Sequence, residues 1–134
     1  MRVDRGQAFI ELALCAPLVI LLALGTVVSI QIASARAGLD AATQAAAEVA
    51  ARAPNAETAL ATGHERFTEV VTGYPMRSAT LVLSVGDFSR TASVMALSSA
   101  SIDIAWAAFL VLPARLTIRS QVRLALEPWR SHTE

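Results

Sequence analysis

Residues 12–30 form an unbroken apolar run, LALCAPLVILLALGTVVSI, with no charge inside it. Nineteen residues rising about 1.5 Å each span a hydrocarbon core of about 30 Å as a helix. Lipid leaves a backbone few options, because every N–H and C=O must be satisfied within the segment. A chain of 134 residues has room for one such span and one modest domain. Arg2 and Arg5 precede the run, so the positive-inside tendency keeps the N-terminus cytoplasmic and sends the remainder outside.

Helical character continues past the apolar run. Residues 31–52, QIASARAGLDAATQAAAEVAAR, are rich in Ala, the strongest helix former. Ile32, Leu39, Ala42, Ala46 and Val49 fall near one stripe, whereas Arg36, Asp40, Gln44 and Glu48 lie elsewhere. One helix of about 70 Å is expected over residues 7–53, stopped by Pro54. The small residues Ala33, Ala37, Gly38, Ala42 and Ala46 are expected to let it approach the same helix of another subunit. Asn55 then reads as an N-cap, with Glu57 in the first turn of a second helix over residues 56–72. Its expected inner face carries Leu60, His64, Phe67 and Val71, and Gly73 and Pro75 supply the stop.

After Met76 the period changes to two. Leu81, Leu83 and Val85 alternate in a strand over residues 80–85, and residues 88–97 and 101–112 read as two further strands. Leu116, Ile118, Ser120, Val122, Leu124 and Leu126 alternate with Thr117, Arg119, Gln121, Arg123 and Ala125, the cleanest half-buried strand in the chain. Gly86-Asp87 and Pro113-Ala114 are the expected turns. The fold class expected is α+β: a long membrane-spanning N-terminal helix, a short second helix and a small antiparallel sheet. The expected parts are a leader over residues 1–6, the long helix over 7–53 and an outward-facing domain over 54–134.

The stretch Arg5-Gly6-Gln7-Ala8-Phe9-Ile10-Glu11-Leu12, with Pro17 in the apolar run after it, resembles a type IV prepilin signal. It is similar to the TadE-like minor pseudopilins of tight-adherence (Flp-type) pili, over about residues 5–50. That resemblance implies cleavage by a prepilin peptidase between Gly6 and Gln7, with Glu11 at the fifth mature position. It further implies a place in the bacterial inner membrane, with the domain outside and incorporation in a pilus open to it. The implied partners are the peptidase, other pilin or pseudopilin subunits, the assembly machinery and membrane lipid. Leu12 stands where Flp-type pilins more often carry an aromatic, and the leader is short and includes Asp4.

Elementary chemistry agrees with these roles. Glu11 is an ionisable group at the edge of a membrane helix, which is costly without a partner. Processing after Gly6 gives Gln7 a cationic amine, and Glu11 of one subunit then has a counter-charge on its neighbour. Such a pair specifies register more than it adds stability. Pro17 removes a helical hydrogen bond and loosens the segment. The plainer alternative is that Glu11 snorkels to the interface of an ordinary signal anchor.

Rival functions leave weaker traces. Ala33-Ser34-Ala35 reads as a conventional signal-peptidase site, which would start a secreted protein at Arg36, but the apolar stretch exceeds a usual h-region. A signal-anchored binding module is the remaining alternative. No G-x-S-x-G, P-loop or G-x-G-x-x-G occurs, and no nucleophile–base pair stands out, so no enzyme and no cofactor is expected. His64 and His132 lack Cys partners and ligand spacing, so no metal site is expected. No dense basic patch answers to nucleic acid. Cys15 cannot form an internal disulfide and reads as a small apolar residue. His64 and Trp106 read as core, Trp129 as packing, and Arg119 with Arg123 as a solvated strand face. A sheet domain larger than a bare helix favours a minor over a major subunit.

Overall fold

The computed structural model describes residues 2–86, 93–110 and 112–125, with side chains from Gly6 onward. Expectations for Asp87, Phe88, Leu126, Trp129 and His132, and for the side chains of Arg2 and Arg5, fall outside the described residues. The fold is α+β. Helix α1 spans Arg2–Arg52 and helix α2 spans Ala56–Val71. Strands β1 (Arg77–Val85), β2 (Ser93–Asp103) and β3 (Arg115–Ala125) form an antiparallel sheet in the order β1-β2-β3.

At 51 residues, α1 is about 75 Å long at the standard rise. It passes through Gly6 and Pro17 without ending, so the helix is longer than expected at its N-terminal end. Its two halves live in different surroundings. From Gly6 to Val27 almost every residue is exposed, large apolar side chains included. From Val28 to Ala50 a broad stripe is buried against the rest of the chain: Val28, Ala35, Leu39, Ala42, Ala46 and Ala50.

The chain turns back at Ala53–Asn55. The Asn55 side chain accepts a hydrogen bond from the Thr58 amide at 2.8 Å, which satisfies one of the free N–H groups at the start of α2. The buried face of α2 is Ala59, Gly63 and Phe67, rotated from the expected one. Leu60 and His64 are exposed. Small residues set this orientation. A Cβ built on Gly63 would lie 2.5 Å from Leu83 Cδ1 and 3.4 Å from the Ala46 carbonyl oxygen, so α2 approaches α1 as closely as its backbone permits. Further along, a Cβ on Gly38 would overlap the Tyr74 ring.

Both helices cover one face of the sheet. Leu81, Leu83 and Val85 from β1 and Leu116, Ile118, Val122 and Leu124 from β3 turn inward as their alternation predicts. One core cluster joins Ala47, Ala50 and Ala53 to Leu83, Val94 and Ala96. A second joins Val28, Ala35, Leu39 and Ala42 to Phe67, Ile102, Ile104, Ala107 and Ile118. The two clusters order the strands along α1: the end of β2 near Asp103 lies toward the membrane-type half. β1 carries a bulge where Ser78 and Ala79 oppose one residue of β2, and Ser78 takes φ 51° there.

Three strands form where four were expected. The strand expected over residues 101–112 does not form as a separate element among the described residues. The first part of that stretch extends β2, and Ala105–Leu110 is a 3-10 segment. The Asp103 side chain accepts from the Ala105 amide at 3.1 Å, which offers the backbone a turn in place of the ladder. Trp106 is therefore 44% exposed rather than core.

Among the described residues, a buried polar contact crosses the layers between α1 and β2. Thr43 Oγ1 lies 2.6 Å from the Leu39 carbonyl oxygen and 2.5 Å from Ser98 Oγ. A carbonyl only accepts, so the single Thr43 proton goes to Leu39 and Ser98 donates to Thr43. Thr43→Val removes that acceptor and leaves the buried Ser98 hydroxyl unpaired, a loss of about 1–3 kcal/mol. Adding Ser98→Ala is expected to recover part of the loss. Chemical denaturation of the two single variants and the double variant measures the coupling, and strict additivity would contradict it.

Candidate processing and assembly site

Gly6, Gln7, Glu11 and Pro17 lie within the first five turns of α1, all exposed. Spacing of four puts Gln7 and Glu11 on one face, and Gln7 Nε2 donates to Glu11 Oε1 at 3.4 Å. Nothing lies within 4 Å of the point where a Cβ on Gly6 would sit. No described ion pair involves Glu11; the described salt bridge joins Arg66 and Glu69 at 2.6 Å on the exposed surface of α2. Glu11 is a carboxylate whose described contacts come from its own helix alone.

The residues that follow match a lipid or helix surround. Phe9, Ile10, Leu14, Leu18, Val19, Ile20 and Leu22 are exposed. The hydroxyls of this stretch are satisfied by their own helix: Thr26 donates to the Leu22 carbonyl at 2.9 Å and Ser29 to the Gly25 carbonyl at 2.8 Å. By length and composition, this one helix is apolar enough to cross a membrane. Cys15 is exposed on the same surface.

The small-residue stripe divides differently from the expectation. Gly38, Ala42 and Ala46 are buried under the chain's own domain, whereas Ala33 and Ala37 are exposed. Close approach at the first three positions therefore serves α2 and the sheet, leaving only Ala33 and Ala37 open to a neighbour.

Among the described residues no group of three His, Cys, Asp or Glu side chains comes together. His64, expected in the core, is exposed, with Nδ1 3.0 Å from the Leu60 carbonyl oxygen. Arg119 and Arg123 are exposed on the open face of the sheet, as expected, and Arg123 Nε donates to Ser93 Oγ at 3.3 Å. A shallow depression on that face is lined by Val82, Leu97, Arg119 and Gln121 among others. It has no enclosing wall.

Comparison with known proteins supplies one match. Residues 6–48 fit the family model described as TadE-like protein. No curated protein and no solved structure matches the chain. The matched stretch is the exposed apolar half of α1 together with most of the half that carries the domain. It is over this helix, bearing Gly6, Gln7, Glu11 and Pro17, that the chain matches the TadE-like family, consistent with a TadE-like protein of tight-adherence pilus systems.

Proposed function

We propose that the chain is a minor pilin-like subunit, a pseudopilin, that a prepilin peptidase trims between Gly6 and Gln7 and that takes part in assembling a tight-adherence pilus. The observation that carries this reading is the bare first half of α1. Some twenty residues from Gly6 onward are apolar, helical and uncovered by the chain's own domain, and among the described residues no counter-charge pairs with Glu11 at their start. Before assembly lipid covers this surface; afterwards the same helices of other subunits do. The domain stays outside the cytoplasmic membrane, and its role is contact rather than catalysis.

Glu11 is the registering group. In a bundle of such helices, the Gln7 amine of one subunit meets the Glu11 carboxylate of the next. A charge left alone in that low-dielectric surround costs several kcal/mol, so misaligned neighbours are rejected.

Conventional secretion fits the core less well. Cleavage after Ala35 would cut α1 in its middle and remove Val28, Ile32 and Ala35 from the cluster they share with Ile102 and Ile104. Processing at Gly6 leaves that core whole.

N-terminal sequencing of the membrane protein is expected to give Gln7, and to give Met1 in cells lacking the peptidase. A start at Arg36, or at Met1 in both strains, would refute the processing step. Glu11→Ala is expected to insert normally and to change the domain's unfolding free energy by less than about 0.5 kcal/mol, because no described contact with the domain depends on Glu11. The same variant is expected to lose most pilus production. Pilus yield equal to that of the unaltered protein would remove Glu11 from the mechanism.

A further inference from the structure

The connection between β2 and β3 has a composition unlike the rest of the domain surface. Residues 104–114 read IAWAAFLVLPA, with no charge and no hydrogen-bonding side chain except the Trp106 indole. Ile104 and Ala107 are buried and fix the segment to the core cluster that includes Val28. Around them Trp106, Phe109 and Leu112 stand 44%, 53% and 38% exposed. Exposing three large apolar side chains in one short segment is unfavourable in water and marks a contact surface.

Its position says what the surface meets. The 3-10 segment packs on α1, and the end of β2 leading into it shares a cluster with Val28, which is 3% exposed. Val28 lies only about 3 Å along the helix before Ile30, the last residue of the apolar run. Charges begin on the domain side of this level. Arg36 is the first charged residue on α1 after Glu11, and Asp103 and Arg115 are register partners where β2 and β3 leave the segment. A surface tethered to α1 at that depth meets lipid headgroups before it meets any protein partner. Trp and Phe suit that zone, where one side of a ring is apolar and the other wet.

We propose that Trp106, Phe109 and Leu112 form a second membrane contact, seated in the outward-facing interface of the bilayer beside the exit of α1. It rests on the reading of residues 12–30 as the span. One helix alone leaves its domain free to tilt and rotate over the bilayer. A second contact, displaced sideways from α1, fixes which face of the sheet is turned to neighbouring subunits.

The test is tryptophan fluorescence of the full-length protein in phosphatidylcholine vesicles with brominated acyl chains. A Trp129→Phe background makes Trp106 the only reporter. Blue-shifted emission, strong loss of intensity in bromolipid and weak quenching by acrylamide are expected. A second variant carries Leu18→Trp with Trp106→Phe and Trp129→Phe, to report on the span itself. Loss of its emission in bromolipid, while Trp106 responds only to acrylamide, would overturn the interfacial contact and leave the span intact. Shielding of Trp106 from both quenchers would overturn it too, and would assign the surface to a second copy of the chain. If neither tryptophan is quenched by bromolipid, the span reading fails and the contact falls with it.

Discussion

Everything outside the membrane-type helix hangs on one contact: the close packing of the second half of α1 against α2 and the sheet. Small side chains supply most of α1's share of this contact, with Leu39 the largest fully buried side chain among them. Ala35, Gly38, Ala42, Ala46 and Ala50 present an almost flat strip, and α2 answers with Ala59 and Gly63. Backbones that approach this closely exchange many weak dispersion contacts, each about 0.1–0.2 kcal/mol. Phe67, Leu83, Val94, Ile102 and Ile118 fill the space that remains. With one cysteine in the chain there is no internal disulfide to reinforce it, so packing carries the domain.

That arrangement assigns each half of α1 a separate task. Where residues are small, the helix serves its own domain; where they are large and apolar, it is left bare. The change comes near Val28, close to the end of the apolar run. A helix continuous across this point transmits position rigidly, because both halves share one hydrogen-bonded ladder. Movement of the lower half within a bilayer or a bundle of helices is therefore movement of the domain. Such coupling is what a subunit needs if packing of its helix is to set the placement of its outer surface.

Much of this was legible in the sequence because period and punctuation agreed. The alternation in β1 and β3, the Asn55 cap and the apolar run are local signals, and tertiary structure did not override them. Three features were not legible. Leu60 and His64 occupy a plausible inner face of α2, but packing chose the face with Ala59 and Gly63, since closeness to α1 outweighed hydrophobicity. Ile102, Ile104 and Trp106 continue a strand-like alternation, and only the Asp103 side chain reveals that the backbone turns. The stripe through Gly38, Ala42 and Ala46 has the same spacing whether it faces a neighbour or the chain's own domain, so the sequence could not assign it. Of the proposed site, Gly6, Gln7, Glu11 and Pro17 were legible as a motif; their exposure along the bare half of α1 came from the fold.

The account stands or falls on the division of α1 near residue 30 between a part in the membrane and a part outside. Single-cysteine labelling reads that division directly. In a Cys15→Ser background, Leu22→Cys and Arg36→Cys would each be treated with a membrane-impermeant maleimide on cells with an exposed cytoplasmic membrane. Labelling at position 36 but not at position 22, before and after permeabilisation alike, is the predicted result. Labelling at position 22, or at position 36 only after permeabilisation, would contradict the account.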